Sequence, residues 1–272
     1  MLIQRVLTAL ILAPLAIAIV LWPPTAIFAL LCAAAFLAAW WEWAQLSGLK
    51  SRAASVALLL AAIAAFALLW WGHASVAMPL ALLLGVAWWL VACLWLRHFA
   101  FAAAPTRENR TLKLLAGALI IFPAWMALIA IHDREVHGHW WTMLALLIVW
   151  SADIGAYFSG RAFGKRKLAP QISPGKTWAG AYGALAAGTL IALIGGWLLE
   201  VRGASLVGLA VLACLTVAAS IVGDLVESLM KRHAKVKDSG SIFPGHGGLL
   251  DRLDSVFAAL PVFAAGLWLL GL

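Results

Sequence analysis

The chain has 272 residues, of which 65% are hydrophobic and only 11% charged, with a formal charge of +8 and a mean hydropathy of +1.01. A soluble domain carries roughly a quarter charged residues, so this composition excludes one. Alternating short segments of a membrane barrel are absent, which leaves a polytopic all-α integral membrane protein.

Nine apolar stretches of at least 17 residues can be marked, and about 20 such residues cross a bilayer. Helix 1 is predicted over Val6 to Trp22, before Pro23-Pro24, and is read as a retained helix, not a cleaved signal. Helix 2 runs from Thr25 to Leu46, helix 3 from Ala54 to Trp71 and helix 4 from Ala74 to Leu96. A basic loop leads to helix 5, Leu114 to Ile131, and helix 6 covers Trp140 to Ser159. A long basic loop, Gly160 to Thr177, precedes helix 7, Trp178 to Leu199. Helix 8 spans Leu206 to Met230, and helix 9 closes the chain from about Ser255 to Leu272.

Placing the loops on alternate sides puts 17 of the 19 lysines and arginines on the side of the N-terminus and only Arg134 and Arg202 on the other. The positive-inside rule then predicts a cytoplasmic N-terminus and an outside (periplasmic) C-terminus. The +8 charge reads as this asymmetry, and no nucleic-acid partner is expected. Twelve of the 16 tryptophans fall near predicted helix ends, as interfacial indoles do. Cys32, Cys93 and Cys214 are isolated in apolar stretches and read as packing residues. The chain is one membrane domain: residues 1–113 form a hydrophobic scaffold, nearly free of polar side chains in its helices apart from Glu42, and 114–272 carry the polar residues.

Three polar clusters fall on the inner face. The first runs from Ser151 and Asp153 through Tyr157 to Arg161, and the second is Ser173-Pro174-Gly175-Lys176-Thr177-Trp178. The third joins Ser220, Asp224, Glu227 and Ser228 to the polar run that ends at Asp251 and Asp254. Asp153 and Asp224 lie six or seven residues inside their spans, roughly 10 Å deep, where an aspartate needs a polar cavity or a cation. A neutral aspartic acid bridging two helices is the alternative. Asp224, Asp251 and Asp254 together make an oxygen-rich set suited to Mg2+; a helix cap plus a salt bridge with Arg252 is the alternative for the last two. Gly240, Gly245, Gly247 and Gly248 around Pro244 permit a backbone that turns N–H groups toward an anion. Lys231, Arg232, Lys235, Lys237 and Arg252 either face a polyphosphate or are ordinary inside-positive charge. Gly175-Lys176-Thr177 is not a P-loop, because Pro170 stands where that motif requires glycine. These residues point to phosphoryl or nucleotidyl transfer on a lipid.

The run SLMKRHAKVKDSGSIFPGHGGLLDRLDS closely resembles the signature of the phosphatidate cytidylyltransferases, the CDP-diacylglycerol synthases. It carries Ser228, Lys231-Arg232, Lys237-Asp238, His246-Gly247-Gly248, Asp251-Arg252 and Asp254 at the family's spacing. The segment from Asp153 to Gly180 is similar to the family's preceding segment, with Ala179 where Glu is common and Gly175 where Lys is frequent. In the first four helices only the WEW around Glu42 resembles the family. The resemblance implies that CTP and phosphatidic acid, the latter from the cytoplasmic leaflet of a bacterial inner membrane, give CDP-diacylglycerol and pyrophosphate. It implies Mg2+, a second cation of unknown identity and a homodimer. Asp224, Asp251, Lys237 and Arg252 would form the catalytic set, with Asp224, Asp251 and Asp254 as metal ligands. Ser173, Lys176, Thr177, Lys231, Arg232, His246, Gly247, Gly248 and Asp153 would bind substrate. A CTP-dependent polyprenol or phytol kinase, or an ion or solute transporter using Asp153 and Asp224, are the competing readings.

Overall fold

The computed structural model describes residues 13–242 and 247–272. Helical residues 13–21 (α1) belong to the first predicted span, whose beginning lies outside the described residues. Eight further helices follow, each long and apolar enough to cross a membrane: α2 (Thr25–Leu46), α3 (Arg52–Gly72), α4 (Ala77–Arg97), α5 (Arg107–His132), α6 (Gly138–Phe163), α7 (Trp178–Leu198), α8 (Gly203–His233) and α9 (Leu250–Leu270). Eight of the nine predicted spans are therefore present among the described residues, and the first lies partly outside them.

Several helices run further than hydropathy predicts, always at their polar ends. Thr106 caps α5, its hydroxyl accepting from Asn109 N at 3.2 Å, so the helix starts at Arg107, seven residues before the apolar run. Helix α6 continues to Phe163, and α8 to His233, which makes Lys231 and Arg232 helical residues instead of loop residues. Helix α9 begins at Leu250, so Asp251 stands in its first turn.

The loop before α7 holds the one sheet seen among the described residues. Strand β1 (Lys167–Ala169) pairs antiparallel with β2 (Ser173–Thr177), in the register Lys167 with Thr177 and Ala169 with Ser173. The hairpin is pinned at its turn: Ile172 is buried, and its carbonyl accepts from Arg232 Nε of α8 at 3.2 Å. Thr177 then caps α7 through Gly180 N at 3.1 Å. This path carries Lys176 toward α8.

Helices α5 and α9 run through the centre of the bundle, and α3 is peripheral, burying only Ser55, Ala62 and Phe66. Phe36 of α2 meets Phe257 of α9 edge-on at 4.9 Å, and Trp125 of α5 donates to the Ala29 carbonyl of α2 at 3.0 Å. At the end of the bundle away from the hairpin, His132 bridges Thr25 Oγ1 and the Val20 carbonyl, each at 3.0 Å. It stacks between Phe28 and His139, tying the Pro23-Pro24 turn to α5 and α6. Closest approach elsewhere uses small residues. A side chain at Gly155 of α6 would collide with the backbone of Gly183 of α7, and one at Gly223 of α8 with the Asp254 carbonyl of α9. Those two crossings bring α6, α7, α8 and α9 together around one cavity.

Candidate active site

The cavity measures about 400 Å3 and lies where α6, β2, α7, α8 and the start of α9 converge. Asp153, Tyr157 and Arg161 line it from α6, Lys176 and Thr177 from the hairpin, and Ser220 and Asp224 from α8. The predicted four-residue spacing on α8 is realised: Ser228 Oγ donates to Asp224 Oδ1 at 3.2 Å, one turn apart. The other oxygen of Asp224, Oδ2, accepts from Lys176 Nζ at 2.5 Å. Two of the three clusters expected from the sequence thus meet in an ion pair, and Asp153 adds a carboxylate on the cavity wall.

A second polar centre sits beside the first. Glu227 lies one turn after Asp224 and is buried; its Oε2 is 2.5 Å from Lys231 Nζ, and its Oε1 has no hydrogen-bond partner among the described residues. Lys231 also reaches Asp251 Oδ1 at 2.6 Å. Asp251 Oδ2 accepts from Ser239 N, Ser239 Oγ and Gly248 N at 2.9, 2.9 and 2.8 Å. Asp254, one turn after Leu250 on α9, is half-buried, and its Oδ1 accepts from Ser255 N at 2.7 Å.

The glycine-rich turn does present N–H groups to an anion, but the anions it meets are the protein's own. Gly248 N serves Asp251, while Leu249 N and Leu250 N donate to Glu42 Oε1 and Oε2 at 3.1 and 2.8 Å. Ser239 Oγ lies between the two carboxylates, 2.8 Å from Glu42 Oε2. The turn needs glycine for this. Gly247 has φ +80°, and a Cβ there would come within 2.5 Å of Asp251 Oδ2; one at Gly248 would strike Glu42 and Ser239 Oγ.

Other predicted site residues stand further out. Arg232 is exposed and spent on the hairpin, Lys237 is exposed on the loop after α8, and Arg252 is exposed on the first turn of α9. Ser173 sits at the start of β2, half-buried, and Thr177 is the α7 cap. His246 lies outside the described residues. Glu42 is the residue that motif reading passed over. It comes from the scaffold stretch, is buried, and supports the turn from 197 to 208 positions away. Its sequence signs were a carboxylate inside a span otherwise free of charge and the family-like WEW around it.

The donors fit a hard divalent cation in kind. All are carboxylate oxygens, one of them buried and orphaned at Glu227. The side chains do not converge on a single point: among the described residues no three His, Cys, Asp or Glu side chains are gathered closely enough to hold an ion. Lys176 and Lys231 instead occupy the faces of Asp224 and Asp251 that such a cation would neutralise.

A bundle of membrane-spanning helices with a carboxylate–lysine cavity at one end defines a polytopic membrane protein built to handle charged groups near a membrane face. The sequence model of the Cytidylyltransferase family matches residues 3–270, and the chain belongs to that family. It is 42% identical to a phosphatidate cytidylyltransferase of Pseudomonas aeruginosa over 277 residues, covering 100% of this chain and 98% of that one. It is 37% identical to one of Haemophilus influenzae, covering 97% and 98%. A Bacillus subtilis protein of the same name is 41% identical over 148 residues, about half of each chain.

Proposed function

We propose that this chain is an integral membrane nucleotidyltransferase that moves the cytidylyl group of CTP onto phosphatidic acid, giving CDP-diacylglycerol and pyrophosphate. The full-length similarity to phosphatidate cytidylyltransferases supports this. It does not favour the kinase or transporter readings. The observation that carries it in the structure is the Lys176–Asp224 pair at the bottom of a cavity open beside α6 and α7.

The acceptor is a phosphate monoester with a second pKa of about 6, so it is mostly dianionic at neutral pH. One of its oxygens attacks the α-phosphorus of CTP, the α–β anhydride bond breaks, and pyrophosphate leaves with the bonding pair. No proton has to be removed, so no general base is required, and Glu227 and Asp254 are given no such role. The barrier is the approach of one polyanion to another, and the chain's task is to neutralise and align them. Lys176 serves the reacting phosphates in the cavity, Lys231 and Arg252 the polyphosphate beside it, and Lys237 its outer end; for His246 a phosphate-binding role rests on the family resemblance alone. Mg2+, held by Asp224 with Asp251 and Asp254, would supply further charge neutralisation on the α-phosphate and the leaving group. Binding it in that way requires the two lysines to exchange their carboxylates for phosphate oxygens.

The 17-to-2 distribution of basic residues supports a cytoplasmic N-terminus and a site facing the cytoplasmic leaflet. The bacterial relatives support a bacterial inner-membrane location. A second cation and a homodimer rest on the family resemblance alone.

The deciding experiment incubates the purified protein with labelled CTP, other nucleoside triphosphates and phosphatidic acid or a polyprenol. CTP-selective formation of CDP-diacylglycerol with pyrophosphate is expected. Release of CDP with a phosphorylated alcohol would instead make it a kinase.

A further inference from the structure

We propose that Arg161, with Tyr157 beside it, is the residue that captures the phosphate of the incoming lipid and so selects a lipid phosphomonoester as acceptor; this rests on the cytidylyltransferase reading. Asp153, Tyr157, Gly160 and Arg161 all line the cavity, and their spacing of four, three and one places them along one face of α6. At 1.5 Å per residue that face is a track of roughly 12 Å, from Asp153 in the span to Arg161 in the last turn of the helix. Small residues, Ala156, Gly180, Ala181 and Ala184 among them, line the rest of the cavity and take up little of its volume.

The two cations on this track differ in what they already hold. Lys176, at the deep end, is committed to Asp224 at 2.5 Å. Arg161 forms no ion pair among the described residues; its Nη1 donates to the neutral Tyr157 phenol oxygen at 3.1 Å. An uncompensated guanidinium at the mouth of a carboxylate-lined cavity favours an anion, and its planar fork matches two oxygens of one phosphate. Because Tyr157 Oη is the acceptor in that bond, its own O–H stays available to a third oxygen.

The surroundings of the mouth favour a lipid over the nucleotide. Phe158 is 65% exposed and Tyr182 64%, and Trp178 and Phe163 are exposed nearby. Exposed aromatics at a helix end belong to the bilayer interface, so the mouth opens sideways toward lipid. Lys231, assigned above to the water-soluble polyphosphate, is held instead by Glu227 and Asp251 beside the glycine-rich turn. A phosphate held by Arg161 has Lys176 as its next cation inward, which leads it to the reacting position while its acyl chains stay in the bilayer.

The test measures steady-state kinetics of Arg161→Gln, Arg161→Lys and Tyr157→Phe in mixed micelles, varying phosphatidate and CTP separately. It adds retention of phosphatidate against diacylglycerol by the purified proteins, without CTP, by native mass spectrometry. For Arg161→Gln the KM for phosphatidate should rise about ten- to hundredfold, the loss expected for a charged hydrogen-bonded pair, with the KM for CTP within about twofold. Lysine should recover part of the loss, and selective retention of phosphatidate over diacylglycerol should disappear in the glutamine variant. A rise in the KM for CTP alone, or unchanged constants for both substrates with unchanged retention, overturns the assignment. If the wild type retains phosphatidate through Arg161 but makes no CDP-diacylglycerol, the capture site stands and the cytidylyltransferase reading falls.

Discussion

Glu42 offers the sharpest test of how the site is held. Replacing it with alanine leaves Ser239 Oγ its second partner, Asp251, but strips Leu249 N and Leu250 N of theirs at the buried start of α9. Each hydrogen bond to a charged acceptor is worth about 1.5–3 kcal/mol, so two orphaned donors cost about 3 kcal/mol at the low end. The loss of a carboxylate beside a helix N-terminus acts in the same direction. That energy falls on the seating of one turn and not on the whole bundle, whose core lies elsewhere. At about 1.4 kcal/mol per factor of ten, the seated turn becomes roughly a hundredfold less favoured, and kcat/KM for both substrates should fall by up to that factor. Glu42→Gln keeps one acceptor oxygen but sets its amide N–H2 against the other donor, so a loss of about tenfold is expected. The assay is CDP-diacylglycerol formation alongside hydrogen exchange of the 239–250 segment. Full activity in Glu42→Ala with unchanged exchange would refute the idea that this carboxylate seats the turn.

Asp224→Asn and Asp251→Asn should each lose at least about a hundredfold in turnover of labelled CTP, while still inserting and eluting as folded protein; near-normal turnover by either sinks its place in the site. Chelation of divalent cations should abolish activity and added Mg2+ restore it, and Mg2+ should raise the melting temperature of the wild type but not of Asp224→Asn. Gly248→Ala forces a Cβ into Glu42 and Ser239 and should unseat the turn, whereas Gly175→Ala meets nothing within 4 Å and should stay within about twofold of wild type. Equal activities for the two alanine variants would show that the close approach at Gly248 does not matter.

The span count was legible because about 20 apolar residues are a strong length signal. Helix ends were less so: hydropathy marks where a helix meets lipid, while α5, α6 and α8 continue into the polar interface, where backbone hydrogen bonding needs no apolar side chain. The hairpin of three- and five-residue strands is too short for an alternating pattern to show. Around the cavity, Asp224 and Ser228 share a helix face and can be paired from spacing alone. The Lys176–Asp224 pair depends on the hairpin path, and Glu42 on a contact across some 200 residues. No local pattern encodes such a contact; what the sequence does show is the cost of placing Glu42 in a span, which demands a polar partner somewhere.

The pairing scheme also bears on how a polyanion enters so crowded a set of carboxylates. Lys231 is 12% exposed and its partner Asp251 6%, so neither charge is stable there alone. An ammonium held this way is already positioned before any phosphate arrives. Exchanging a carboxylate oxygen for a phosphate oxygen then keeps the number of charged contacts on the lysine constant. On the proposed mechanism, a carboxylate released in such an exchange would be the place where a divalent ion is favoured most. Asp224 is the more accessible of the two, at 30% exposure against 6%, and it faces the cavity. The exchange is therefore easiest at Lys176–Asp224, while at Asp251 the three donors from Ser239 and Gly248 hold the carboxylate and the turn in place when Lys231 leaves it.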